Sequence, residues 1–366
     1  MGLNSLSKKL TNTLDKEGVK PAFVKFGRRI RYLTLRMLYS HRNYRKEWNQ
    51  LKNQYKGERV FLLGNGPSLN KTPLYYLRDE YTMCFNRFYL MSERLNWAPY
   101  FFLTVDDLVL DDLLNEMSSI LPKVNYAFFP DIHFRGKTYY DKIGEFENVY
   151  WIIQKYGSGF STQLPRVYLG GSVIYEGLQI LNHLGFDEIY LIGVDMNYET
   201  QESTKTISDN LTEVESMESN DSNHFDPRYF GKGKKFHQPK SYVIKNIISN
   251  LRYLSESIDR YNINIINAGY DSKLKCFPKK DFESLFKFSN DHKKKLINEC
   301  FKNNTSVSSI TEFKSKSKYF SNRNNISENG KNFYVPKEEG LKILSSYIFT
   351  HIPIGPYEGC YYFVKR

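Results

Sequence analysis

The residues that first invite a chemical reading are Gly64, Asn65, Gly66, Pro67 and Ser68, which follow the strand-like run 59–63 with no polar turn between. A strand that runs straight into a glycine-containing turn lets backbone approach a ligand closely, and amides at the start of the next helix suit phosphate. A dinucleotide fingerprint would need a third glycine where this chain has Leu69, and an acidic end to the second strand where it has Cys84, Phe85 and Asn86. A Walker loop fails too, because no Gly-Lys-Ser/Thr follows at the required spacing. What remains is a mononucleotide turn or a structural strand-to-helix turn. In the first case Asn65 and Asn86 are neutral amides for a ribose, base or phosphate.

Other candidates follow the next apolar runs. Asp106 and Asp107 end the run 100–105. Adjacent carboxylates there could hold Mg²⁺ against a diphosphate, and an aspartate there could equally cap the following helix. Asp195 comes after "EIYLIG", and Tyr198 follows it. In the stretch 223–242, His224 and His237 flank Asp226, Arg228 and Tyr229, just before a helical pattern. A helix N-terminus keeps a nearby histidine neutral and able to act as a base, whereas the plain alternative is two surface-loop histidines. His183, inside the helical pattern 172–184, reads as structural.

The elements that must position these residues alternate. Candidate strands are 59–63, 81–85, 100–105, 125–129, 149–153, 188–192 and 263–267, and helix-like stretches fall at 72–78, 107–120, 172–184 and 240–261. Alternation of this kind implies a mostly parallel sheet with helices on both faces and sites outside the carboxyl ends of the strands. Residues 199–223 are rich in Ser, Thr, Asn, Asp and Glu and predict a mobile lid or a disordered loop. Past residue 285 the composition turns polar, and 286–366 reads as a partly helical C-terminal appendage.

The chain has 366 residues, 40% of them hydrophobic, with negative mean hydropathy. No apolar run approaches the roughly 20 residues that span a bilayer, and no secretory signal is evident. The four cysteines are far apart and read as reduced thiols. Of the net charge of +12, residues 1–50 carry +9 (twelve Lys or Arg against three Asp or Glu), so basicity does not belong to the body and nucleic acid is not an expected partner. Within that segment Phe23, Phe26, Ile30, Leu33 and Met37 share one helical face, with Lys25, Arg28, Arg29, Arg31 and Arg36 around it. Such a helix suits an anionic membrane surface, or packs its stripe on the body.

The blocks "LLGNGPSL", "CFNRFYL" and "GGSVIYEGLQILNHLGFDEIYLIGVDMNY", then a histidine before a long helix, resemble the bacterial lipooligosaccharide sialyltransferases. They also resemble the glycosyltransferase domain of flagellin-modifying motility-associated factors and the archaeal 6-hydroxymethylpterin diphosphokinases. The resemblance covers about residues 57–270. It implies an α/β, Rossmann-like, mostly parallel sheet of glycosyltransferase-A-like kind over 57–285, with a lid about 199–235 and a basic helical segment 1–56 before it. It implies a CMP-linked sugar as donor, a glycan acceptor and no required cofactor or metal. Asn65, Gly66 and Ser68 would lie along the CMP phosphate and ribose, Asn86 would contact the nucleotide, and Ser172 would be the hydroxyl near the donor. Tyr198 would meet the departing phosphate and His237 would be the general base. Arg166 would be the arginine that precedes Ser172, and Gly64, Pro67 and Asp195 would complete the nucleotide seat. Asp106-Asp107 replaces the usual turn after the third strand, and "HFDPRYFGKG" (with His224, Arg228 and Tyr229) is closer to the flagellin-modifying branch. A Mg²⁺- and ATP-dependent diphosphokinase and a non-catalytic nucleotide-binding scaffold are the alternatives. The expected location is the cytoplasmic face of a membrane, with oligomer formation left open.

Overall fold

In the computed structural model the described residues are 19–92, 95, 97–157, 159–207, 213–219, 221–289, 291–292 and 295, with three strands near the C-terminus. The centre is an eight-stranded sheet in which every pairing is parallel. Its strands are β1 (Arg59–Leu63), β2 (Tyr81–Phe85), β3 (Phe101–Leu103), β4 (Tyr126–Pro130), β5 (Val149–Lys155), β6 (Arg166–Tyr168), β7 (Glu188–Ile192) and β11 (Asn264–Asn267). They lie in the order β11-β7-β1-β2-β3-β4-β5-β6. The chain therefore runs outward from β1 to β6, then returns to place β7 on the other side of β1. That reversal is the topological switch point, where α/β sheets open a ligand crevice.

Alternation along each strand splits the core in two. Val60 and Leu62 face a layer with Leu178 and Leu181 of helix α4 (Val173–Leu184) and Leu251 of helix α5 (Ser241–Glu256). Phe61 and Leu63 face a second layer with Leu77, Phe282 and Leu110 of helix α3 (Asp107–Leu113). Both faces are covered, which is why these strands read as continuous apolar runs. The fold is α/β and Rossmann-like.

Several elements differ from expectation. The stretch 72–78 forms no α-helix; two 3₁₀ turns, Pro67–Lys71 and Leu74–Leu77, take its place, and Pro73 separates them. The insertion after Tyr198 carries structure: β8 (Thr204–Thr206), β9 (Glu213–Ser216) and β10 (Lys235–His237) form an antiparallel sheet. In the C-terminal appendage the described residues include helix at 291–292 and 295 and also three strands, Phe333–Pro336, Tyr347–His351 and Cys360–Lys365, in keeping with their β-branched and aromatic content.

The N-terminal region divides as well. Helix α2 (Arg45–Leu51) belongs to the body: Trp48 is fully buried, donates Nε1–H to the Trp151 carbonyl at 2.8 Å and stacks on Phe128. His183 is structural, its Nε2 lying 2.7 Å from the Trp48 carbonyl oxygen. Helix α1 (Val19–Leu38) is turned the opposite way from the packed-stripe alternative. Phe23, Ile30, Leu33 and Met37 point outward, and polar residues grip the body. Arg28 pairs with Glu213 of β9 at 2.8 Å, Arg36 pairs with buried Asp131, and the Tyr32 hydroxyl donates to the Gln154 carbonyl at 2.9 Å. Among the described residues no helix is long and apolar enough to cross a membrane.

Candidate active site

The glycine turn is built first against β7, not against a ligand. Gly64 N–H donates to the Ile192 carbonyl and Gly66 N–H to the Gly193 carbonyl, both at 2.8 Å. A Cβ at Gly64 would fall on the Gly193 carbonyl, and one at Gly66 on the Asp195 carboxylate. That carboxylate accepts the Ser68 amide at 2.8 Å and also the Ser68 hydroxyl. Pro67 has no amide to offer. The amides expected to cradle phosphate at Gly66 and Ser68 are thus already taken by the loop after β7, and Asp195 occupies the anion position.

What the turn displays is Asn65. A cavity of about 620 Å³ opens at the carboxyl ends of β1 to β5 and β7, with Phe236 and His237 of β10 also on its wall. Asn65 Nδ2 donates to the Phe85 carbonyl at 3.2 Å and to the Tyr229 hydroxyl at 2.9 Å, while the Asn65 backbone carbonyl accepts Phe225 N–H at 2.9 Å. Asn86 sits in the left-handed region (φ 54°), which asparagine tolerates better than most residues. Both residues line the cavity, and Asn65 Oδ1 and Asn86 Oδ1 are buried without a partner. Beside them the His224 ring stacks on Tyr229 at 3.9 Å. Asp221 holds His224 Nδ1 at 2.7 Å and also accepts Phe230 N–H at 3.0 Å.

The other wall is charged. Asp106 caps α3, its Oδ1 accepting Leu108 N–H at 2.9 Å and Val109 N–H at 3.1 Å. Asp107 is buried and meets Arg135 at 2.5 Å, Lys137 at 2.8 Å and His237 Nε2 at 3.4 Å. Burial would raise its carboxyl, but the hydrogen bond with His237 and the cationic Arg135 and Lys137 hold it well below the usual carboxylate range. Burial pushes the His133 imidazole down to about 3, so it is neutral. Burial also pushes Glu176 up to about 8, against a hydrogen bond from Gln154 at 3.3 Å, leaving a neutral carboxyl in the cavity wall at pH 7.

Asp106, Asp107 and His237 bring ligand atoms within 4.8 Å of one another. They do not suit Mg²⁺, which wants several oxygen ligands in octahedral array. Arg135 and Lys137 already neutralise Asp107, the Asp106 oxygen Oδ1 is engaged as a cap, and His237 Nε2 abuts the Arg135 guanidinium. A dication here would sit beside an arginine. Asp195 is committed to Ser68 and does not join them.

Ser172 caps α4, accepting Ile174 N–H at 3.4 Å, and lines the cavity with Tyr198, which is 38% exposed. Arg166 is exposed on β6 and outside the cavity lining, and Arg228 forks onto buried Asp226 at 2.8 Å and 3.0 Å. Sequence reasoning missed Arg135, His133, Glu176 and Asp221. Glu176 had left a signal, a lone carboxylate in the apolar helical run "VIYEGLQIL", and Asp221 lies one helical turn's spacing before His224.

No curated protein sequence matches the chain. Among solved structures it is similar to the MAf glycosyltransferase from Magnetospirillum magneticum AMB-1, with 17% identity and a TM-score of 0.38 over 70% of this chain and 42% of that one. The chain therefore spans under half the length of that protein. It is similar to the sialyltransferase CstII from Campylobacter jejuni, solved with a substrate analogue, cytidine-5'-monophosphate, with 13% identity and a TM-score of 0.34 over 67% of this chain and 99% of that one. A structure of CST-II with trisaccharide acceptor and CMP gives 14% identity and a TM-score of 0.34 over 63% and 89%. Over residues 35–201, which hold β1 to β7 and the strand ends that line the cavity, the chain matches the family model of the 6-hydroxymethylpterin diphosphokinase MptE-like proteins, one branch of the group its motifs resemble.

Proposed function

We propose that the protein is an inverting glycosyltransferase of sialyltransferase type, moving a nine-carbon acidic sugar from a CMP donor to a glycan or protein hydroxyl in cell-envelope glycan synthesis. The observation that carries this reading is the pair of buried, unpartnered oxygens Asn65 Oδ1 and Asn86 Oδ1 in one cavity wall, beside the His224–Tyr229 stack. An unsatisfied buried acceptor costs about 1–3 kcal/mol, so two of them favour a ligand that brings N–H or O–H donors, as ribose and cytosine do. A cavity of about 620 Å³ has room for a nucleotide with its sugar. The motif resemblance supplies the choice of CMP.

In this reading Asp107 orients His237, which takes the acceptor proton. The acceptor oxygen bonds to the anomeric carbon, the bond from that carbon to the phosphate oxygen breaks, and its electron pair leaves on CMP. Tyr198 and the backbone amides at the start of α4, behind Ser172, stabilise the charge that builds on the phosphate. The reaction proceeds without a metal.

The family match favours one second reading, transfer of a diphosphoryl group from ATP with Mg²⁺. A thermal-shift panel of CMP, CMP-sialic acid, UDP, GDP and ATP, with and without Mg²⁺, separates the two. A ligand at a hundred times its Kd adds about 2.7 kcal/mol of apparent stability. Stabilisation by CMP and CMP-sialic acid that ignores EDTA is expected. Stabilisation by ATP alone, and only with Mg²⁺, would replace this reading with the second, and CMP binding with no sugar transfer would reduce the protein to a scaffold.

A further inference from the structure

Helix α1 presents its apolar residues to solvent. Phe23 is 63% exposed, Ile30 48%, Leu33 40% and Met37 74%, at spacings that line one side of the helix. Unpartnered apolar stripes of this kind mark interaction surfaces. The chain around the stripe carries no Asp or Glu between Glu17 and Glu47, while Arg31, Arg45 and Lys46 are exposed. An apolar stripe flanked by cations only, on a helix lying along a folded body, complements an anionic bilayer: hydrocarbon for the stripe, lipid headgroups for the cations.

We infer that the outward face of α1 docks on an anionic lipid surface, and that this docking sets the orientation of the cavity. The helix is bound to the cavity's own frame. Lys25 lines the cavity, Arg28 pairs with Glu213 of the β8–β9–β10 sheet, and the Tyr32 hydroxyl bonds the Gln154 carbonyl, whose side chain reaches Glu176. A bilayer under α1 therefore lies beside the cavity rim, where an acceptor held in the membrane would arrive. The docking stands whether or not the donor is a CMP-sugar, because it uses none of the residues assigned to the reaction.

The test is flotation of the full chain with phosphatidylcholine vesicles, with and without phosphatidylserine. Binding to the anionic vesicles, weakened by salt, is expected. Leu33→Ser with Met37→Ser lowers the vesicle affinity about tenfold or more, through lost apolar burial. Arg31→Glu weakens anionic binding while leaving any residual binding to neutral vesicles unchanged. Both sites are exposed, and unchanged thermal unfolding of the variants shows that they fold. Failure of the wild-type chain to float with anionic vesicles overturns the inference, as does equal flotation of the Ser variant. A concentration-dependent dimer without lipid that the same substitutions dissolve would instead assign the stripe to a second copy of the chain, and would also overturn it. None of these outcomes bears on the nucleotide panel, so failure here and failure of the glycosyltransferase reading are separable.

Discussion

Asp195 and Ser68 are bonded twice, the carboxylate accepting both the amide and the hydroxyl of the serine, so the loop after β7 closes the turn that a phosphate was expected to fill. The relationship links two elements far apart in sequence, and Gly66 exists to let it form.

Asp195→Asn keeps the side-chain shape but removes one accepting oxygen, and it is expected to cost about 1–3 kcal/mol in urea unfolding with an unchanged m-value. Gly66→Ala should cost a similar amount, because its methyl group meets the carboxylate. If the collision is with Asp195, adding Asp195→Ala to Gly66→Ala costs less than the sum of the two, by roughly 0.5–3 kcal/mol. Simple additivity would show that the glycine answers to something else.

Glu176 makes the second prediction, in pH rather than packing. Its folded pKa is pushed up by burial to about 8 from the usual carboxylate range, so between those limits the folded chain binds a proton the unfolded chain does not. Stability must therefore fall as pH rises through that window, by up to about 1.4 kcal/mol per pH unit from this group, and then level off. Glu176→Gln removes the titration while keeping a hydrogen bond to Gln154. The variant should gain Tm over the wild type at pH 8 and lose that advantage near pH 5. A pH-independent difference would refute the buried-carboxyl account.

The cavity offers two histidines fixed by carboxylates, and they should fail differently. His237→Gln is expected to lower kcat for sugar transfer by about 10²–10⁴ with little change in donor KM, as loss of a general base does. His224, stacked on Tyr229 beside Asn65, forms the wall of the nucleotide seat. His224→Gln should therefore raise donor KM and leave kcat nearly intact. Kinetics of both variants with CMP-sialic acid check this, and the reverse pattern would pass the base role to the Asp221–His224 pair.

The parts of the fold legible in the sequence are those buried on both faces. β1, β2 and β7 have the boundaries their apolar runs announce, because parallel strands in a two-sided core stay almost wholly apolar between their ends, buried Thr82 being the exception. β6, three residues with an exposed arginine at its start, has no such pattern to read. Asn65, Asn86, Ser172, Tyr198 and His237 come together in one cavity because each follows a strand or adjoins a helix start at the same edge. Arg166 stays outside because it stands on an edge strand, not at its carboxyl end. Gly64 and Gly66 line the cavity and also meet the loop after β7, because a close backbone approach leaves the same glycine signature whether the neighbour is a phosphate or the chain itself. Arg135 and His133 could not be placed because they follow β4 in a segment with no motif, and only the strand order shows that β4 ends beside β3.

Helix α1 grips the body with its polar side and the Tyr32 ring. Detaching it would bring the Tyr32 ring and parts of Phe26 and Leu35 into water while the outward stripe is there already, so the hydrophobic effect holds the helix only weakly. The Tyr32 hydrogen bond and the Arg36–Asp131 pair are shielded, but the Arg28–Glu213 pair gives the helix a hold partly open to solvent. Such a hold weakens with ionic strength as the screening length shrinks from about 10 Å at 0.1 M to 3 Å at 1 M, whereas the sheet's core is indifferent to it. The tie between the helix and the β8–β9–β10 sheet is thus the salt-sensitive end of the grip, and the Arg36–Asp131 end is the salt-resistant one.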